Sequence, residues 1–253
     1  MCLILMAYKN HPDYKLIIAA NRDEFYQRET EPAHFWNENP EILAGRDKVA
    51  GGTWMGVHTS GKISMLTNFR DLSNIKADAP SRGFLVSNYL QKDVPPSQYL
   101  KKVAEKGNQY NGFNLICGDA EQLYYYGNYQ DGVHRISAGY HGLSNALLNT
   151  NWPKIEKGKQ KLKDTIQRSF DEQDLFEILY DDIRAPIESL PDTGVGQEKE
   201  HMLSSMFIKS ENYGSRCSTV LIIDQNNIMT FAERTYDITD FSFVERSFEL
   251  SIQ

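Results

Sequence analysis

The sequence is poor in cysteine. Three in 253 residues (Cys2, Cys117 and Cys217) are too few, and odd in number, for a disulfide framework, so the fold must rest on its own core and a reducing compartment is expected. No two of them have the short spacing of a zinc site, and the six histidines are scattered. No metal or other cofactor is therefore expected. Positive charge is also in deficit: 27 Lys and Arg against 34 Asp and Glu give a formal net charge of -7. That balance argues against general nucleic-acid binding, which needs a basic face to displace counterions. A local basic site for an anionic substrate remains compatible with it. Long apolar runs are missing: no stretch approaches the ~20 residues that span a bilayer. The opening run from Met1 to Lys9 has no basic residue in front of it, unlike a signal peptide. A soluble, cytoplasmic protein with no membrane insertion is expected. Gly-x-Ser-x-Gly elbows, Walker loops and His-Glu-x-x-His are absent, as are internal repeats and low-complexity segments.

What is present is enough to build a core. Hydrophobic residues make up 40% and aromatics 11% of the chain, which reads as one globular domain over residues 1–253. Residues 2–8 and 15–20 are apolar on both faces and are separated by turn formers, predicting a hairpin inside a covered sheet. With the turn centred near 11–12, paired positions sum to about 23. Cys2 then lies across from Asn21, which brings Asn21, Arg22, Asp23 and Glu24 beside it. Residues 25–50 read as an irregular loop. A second hairpin is expected from the Gly-Gly-Thr-Trp stretch at 51–54 to Asn68. Helices are expected over 84–90 and 99–106, each with Ser near its N-cap, and over 153–169, where Pro takes the first position. A further helix is expected over 171–183. Strands are expected at 113–117, 123–126, 133–137, 218–223, 228–231 and 241–250. A loop from 191 to 214 holds a short helix near Met202. Strands, then helices, then strands predict an α+β layered fold.

Four groups of residues could carry chemistry. If Met1 is removed, Cys2 carries a free α-amine with a reference pKa of about 7.7–8.0, able to take a proton from a thiol at about 8.5, so one residue supplies nucleophile and base. Its ordinary alternative is a buried core cysteine. In the polar tetrad after the second strand, Asp23 could orient that amine, and Arg22 could lower the thiol pKa or hold a substrate oxygen. The plainer reading is a turn with a surface ion pair. Asn68 and Asn145 end strand-like segments and could donate to an oxyanion, although Asn is also a common turn former. Arg216, just before an apolar strand, could hold a substrate anion or simply end the strand.

Taken together these residues resemble the NRDE family, named for the segment seen here at residues 21–24, which includes the eukaryotic transport and Golgi organisation protein 2. The matching segments run along almost the whole chain: Met1-Cys2, the tetrad, Gly51-Gly52-Thr53-Trp54, Thr67-Asn68-Phe69-Arg70, Ser81-Arg82-Gly83, Gly142-Leu143-Ser144-Asn145, Trp152-Pro153-Lys154, and the stretch from Arg216 to Asp224. That family resembles in turn the choloylglycine hydrolase and penicillin V acylase branch of the N-terminal-nucleophile hydrolases. The resemblance implies a four-layer α-β-β-α sandwich and hydrolysis of a linear amide C–N bond. It implies Cys2 as nucleophile, Asp23 as the carboxylate near the new N-terminus, Asn68 as an oxyanion donor, Asn145 as a second polar residue and Arg216 as the late arginine. The hydrolase branch has Arg-Asn-x-Asp where this chain has Ala20-Asn21-Arg22-Asp23, and the displaced arginine is expected on the other face of the strand. Two functions follow. One is a cysteine amidohydrolase acting on a small-molecule amide. The other is a non-catalytic binding or carrier protein for haem or an acyl-lipid ligand, in line with the lipid homeostasis and haem trafficking associated with eukaryotic relatives. A homo-oligomer is compatible with either.

Overall fold

The computed structural model describes residues 3–252. Strands β1 (Leu3–Tyr8) and β2 (Tyr14–Phe25) form the first hairpin, and β1 is buried at every position. Their register runs from Leu3 opposite Asn21 to Tyr8 opposite Leu16. Asn21 therefore faces Leu3, one residue later than the hairpin arithmetic places it, and the expected partner, Cys2, lies outside the described residues. The expected loop at 25–50 instead contains β3 (Thr30–Trp36) and β4 (Asn39–Asp47). Two register shifts interrupt that pairing, and only Ala33 and Trp36 of β3 are buried, so no clean alternation marks it in the sequence. Strands β5 (Met55–His58) and β6 (Ile63–Asn68) make the second expected hairpin, with the glycine-rich 51–53 left outside it.

Helices α1 (Gly83–Gln91) and α2 (Pro96–Ala104) start on Arg82 and Pro95 with no side-chain cap, not on the expected serines; in α2 a first-turn proline takes over. Strands β7 (Phe113–Gly118) and β8 (Leu123–Gly127) match expectation. The strand expected at 133–137 shrinks to β9 (His134–Arg135), and β10 (Gly139–Leu143), a further strand, follows it. Helix α3 (Pro153–Ile166) begins on its proline. In α4 (Glu172–Leu179), Asp171 closes a capping box with Asp174. Helix α5 (Gln197–Met202) lies in the long connection before β11 (Tyr213–Asp224), β12 (Ile228–Tyr236) and β13 (Phe243–Ser251).

The strands form two antiparallel sheets, one ordered β10-β1-β2-β11-β12-β13 and the other β3-β4-β5-β6-β7-β8-β9. Helices α3 and α4 pack on the first sheet and α1 and α2 on the second, giving the four-layer α-β-β-α sandwich. Strand alternation divides the core accordingly. Ile4, Met6, Ile18 and Ala20 meet Met55, Val57, Ile63 and Met65 between the sheets. Leu3, Leu5, Ile17 and Ala19 face the α3–α4 layer, whereas Leu66, Leu115 and Cys117 face α1 and α2. Among the described residues no helix is long and apolar enough to cross a membrane.

Candidate functional site

Strand β2 lies mid-sheet, with β1 on one side and β11 on the other, and its polar end obeys the period-2 rule. Asn21 and Asp23 turn toward the helices. The Asn21 amide donates to Leu179 O and Met206 O, both at 2.8 Å, and its oxygen accepts from Ser218 Oγ at 2.6 Å. Asp23 Oδ1 accepts from Ser215 Oγ at 2.6 Å, and Ser215 Oγ in turn accepts from Ile208 N. Arg22 turns the other way, between the sheets, with its guanidinium carbon 4.4 Å from the centre of the Trp54 ring. Ala20 points the same way into the inter-sheet core. Moving an arginine from position 20 to position 22 therefore keeps it on one face, because two residues are a full strand repeat; the expected change of face does not occur.

A cleft of about 480 Å³ opens beside Arg22, lined also by Glu24, Arg28, Asp47, Trp54, Asn68 and Arg82. Two glycines, Gly52 and Gly45, pack against the lining residues Gly83 and Trp54. A Cβ on Gly52 would lie 2.5 Å from the Gly83 carbonyl carbon, and one on Gly45 2.4 Å from the Trp54 ring. Only hydrogen fits at either place, and Thr53 N donates to Gly83 O at 3.3 Å across the junction. Arg28 grips Asp47 Oδ2 through Nη2 at 2.7 Å and Nε at 3.1 Å. Arg82 donates Nη1 to Gly112 O at 2.7 Å. Arg22 is 4% exposed; its Nη2 lies 3.6 Å from Glu24 Oε2, and its buried Nη1 has no hydrogen-bond partner among the described residues.

The Asn68 side-chain amide lines the cleft, and none of the hydrogen bonds among the described residues uses it. Asn145 sits behind it: Nδ2 donates to Asn68 O at 3.0 Å, and Arg70 binds Asn145 through its backbone N–H at 2.8 Å and Nη2 at 3.4 Å. Arg70 is itself held by Glu200 at 2.8 Å. The structure thus brings Arg22 and Asn68 to one cleft, with Asn145 gripping the Asn68 backbone. It leaves Asp23 on the opposite face of β2. Arg216 is the extra residue of a bulge between the Ser215–Asp23 and Cys217–Arg22 pairs. Its Nη1 reaches the carbonyls of Tyr26 at 2.8 Å, Arg28 at 3.3 Å and Phe25 at 3.5 Å, so that donor is occupied by backbone. Burial, and then the charge of Arg22, lower its pKa.

Sequence reasoning assigned no role to Trp54, Arg28, Asp47 or Arg82. The first and last sit in the Gly-Gly-Thr-Trp and Ser-Arg-Gly motifs, whose glycines permit the close approach of the two backbones. Glu233 carried no signal at all. It is buried on β12, accepts from Ala33 N at 2.7 Å across the gap between the sheets, and its pKa is pushed up to about 7 by desolvation, against opposing contributions from Ala33 N–H, Cys217 and Arg22. The thiols of Cys117 and Cys217 are fully buried and their pKa values raised by desolvation, so neither is a ready nucleophile. Among the described residues no cluster of three or more His, Cys, Asp or Glu has a geometry to hold a metal.

The family model for transport and Golgi organisation 2 matches residues 1–238. The chain belongs to that family. The human transport and Golgi organization protein 2 homolog is 37% identical over all of both chains, and the Drosophila melanogaster protein is 28% identical over 93% of this chain and 92% of its own. Among solved structures, a Caenorhabditis elegans N-acylethanolamine-hydrolyzing acid amidase ortholog superposes with a TM-score of 0.51 at 13% identity, covering 87% of this chain and 92% of that one. A conjugated bile acid hydrolase variant from Clostridium perfringens gives 0.51 at 10% identity, covering 100% and 99%. At such identities the likeness establishes the fold, that of the N-terminal-nucleophile hydrolases, and nothing finer.

Proposed function

We propose that this transport and Golgi organisation 2 family member is a cytoplasmic, single-domain amidohydrolase in which Cys2, exposed as the N-terminus by removal of Met1, attacks the carbonyl of a small-molecule amide. The observation that carries the reading is the pairing of Leu3 with Asn21 next to a cleft lined by Arg22 and by the uncommitted Asn68 amide. Cys2 is bonded to Leu3, so its Cα stays within ~3.8 Å of that residue's Cα. In the proposed reaction the thiolate adds to the amide carbon and Asn68 donates to the oxygen that gains charge. The amine leaves with a proton from the Cys2 ammonium, and water then cleaves the thioester to acid and free thiol. Asn145 fixes Asn68 through its carbonyl, and Asp23 and Arg216 hold the ends of β2 and β11 in place. That the structural neighbours include proteins described as an amidase and a bile acid hydrolase supports the class of reaction.

The second reading, a carrier, is favoured by Phe25 and Trp54 in the cleft lining with Arg22 beside them, which suit an acyl ligand with a polar end. For haem the cleft offers no His, Cys, Met or Tyr among its described lining residues to serve as axial ligand. The test is intact mass of cell-expressed protein before and after a brief thiol reagent, followed by a screen of N-acyl amides with wild type and Cys2→Ala. The hydrolase reading expects a chain lacking Met1, selective labelling at Cys2 and turnover that Cys2→Ala abolishes. A retained Met1, or equal turnover by both proteins, rules it out.

A further inference from the structure

The connection between α4 and β11 runs over the surface, and from residue 181 to residue 200 only one side chain is buried: Glu200, at 3% exposure. Acidic side chains are almost never buried that far unless they are paired. Glu200 Oε2 accepts from Arg70 Nη1 at 2.8 Å, and Oε1 accepts from Thr193 N at 2.8 Å and from Thr193 Oγ1. Both oxygens are therefore used. The cation of this pair is 130 residues away in the chain and stands just after Asn68.

Arg70 marks the place where the chain leaves the second sheet. Asn68, opposite Phe113, is the last residue of β6 in register with β7. Asn145 holds the backbone on either side of Phe69: its Nδ2 donates to Asn68 O at 3.0 Å, and its carbonyl accepts from Arg70 N at 2.8 Å. The first of these bonds needs the Asn145 amide the right way round, since turned over it would set an oxygen against the Asn68 carbonyl. Arg70 Nη2, 3.4 Å from Asn145 Oδ1, favours that orientation. A guanidinium is a rigid planar fork, so fixing Nη1 on Glu200 also fixes where Nη2 points. The Trp152 ring lies 5.1 Å from the cation. We infer that Glu200 is a positioning residue for the oxyanion donor. Its carboxylate orients Arg70, Arg70 orients the Asn145 amide, and Asn145 sets the backbone from which the Asn68 side chain enters the cleft. The inference rests on the proposed hydrolase for what Asn68 does, and on the hydrogen bonds alone for the coupling.

The test is nuclear magnetic resonance on the full chain with nitrogen-15 in asparagine alone, the Asn68 side-chain amide being identified by its loss in Asn68→Asp. Glu200→Gln keeps the shape and removes the charge, and is expected to move the Asn68 and Asn145 amide signals. Lys161→Met, which cuts a different tie of the same connection at Asp181, is expected to leave both in place. An unmoved Asn68 signal in Glu200→Gln, or equal movement in Lys161→Met, overturns the inference. Should Glu200→Gln not fold, Glu200→Asp, which shortens the arm and keeps the charge, decides by the same signals. Hydrolysis of octanoyl 4-nitroanilide is followed separately. If wild type turns it over, Glu200→Gln is expected to lower kcat about tenfold with KM unchanged, and to have less than about a twofold effect in an Asn68→Ala background. Equal losses in both backgrounds overturn the inference and leave the hydrolase standing. No turnover by wild type counts against the hydrolase, and the amide signals then decide the coupling alone.

Discussion

The two faces of the end of β2 carry the same kind of residue and have opposite fates. On the helix side, Asn21 makes three hydrogen bonds, two to backbone carbonyls from the α4 end and the 206 loop and one to Ser218. Asp23 is bound by Ser215. On the sheet side, Arg22 has a ring beneath it, a distant carboxylate and a buried Nη1 with no hydrogen-bond partner among the described residues. A buried polar group satisfied from within the protein stabilises the fold, whereas one left without a partner costs stability. The polar tetrad is thus two devices interleaved, one that fastens β2 to its helices and one that faces the cleft.

The largest effect should come from the fastened face. Asn21→Ala strands two carbonyls in the interior, while Ser218 keeps Tyr236 as a partner; at roughly 1–3 kcal/mol for each orphaned group, a loss of about 4 kcal/mol is expected in urea unfolding. A loss below about 1 kcal/mol would break the comparison. Next is Glu233→Gln, which retains an acceptor for Ala33 N–H. The Glu233 pKa is raised in the fold to about 7 from 4.5, so the folded state holds a proton that the unfolded state gives up. Its contribution is complete below pH 4.5 and is lost as pH rises toward 7, by up to about 3 kcal/mol. Stability curves of wild type and Glu233→Gln should therefore separate in the variant's favour between those pH values; parallel curves would show that the neighbouring Arg22 and Arg246 charges hold the carboxylate ionised. Gly52→Ala, which drives a methyl into the Gly83 backbone, should cost about 2 kcal/mol and change Trp54 fluorescence as the cleft floor shifts. The smallest effect on stability is expected at Arg22. Arg22→Gln removes a cation–π contact and a buried charge penalty together, leaving a net change within about 1 kcal/mol. A loss as large as that of Asn21→Ala would place Arg22 with the fastened face.

Much of this was legible in the sequence, for identifiable reasons. The doubly apolar runs at 2–8 and 15–20 announced a covered hairpin, Pro153 marked a helix start, and the order of elements gave the layered class. Residues 30–47 were not legible as strands, because Pro32, two register shifts and a half-exposed β3 erase the alternation that identifies strands. Asn68 and Arg22 could be named as polar residues near strand ends, but Arg28, Asp47, Arg82 and Glu233 could not. Each reaches its neighbours across a gap of many residues that only packing closes.

By itself, the sequence determined which residues alternate along β2, and hence that Arg22 and Asn21 must part company, since side-chain direction in a strand is a local property of the backbone. The tertiary structure alone decided what each one meets. Asn21 finds carbonyls from residues 179 and 206, and Arg22 finds an aromatic ring at the edge of a cleft, because hydrogen bonds and clefts form between segments that the chain brings together only when the two sheets stack.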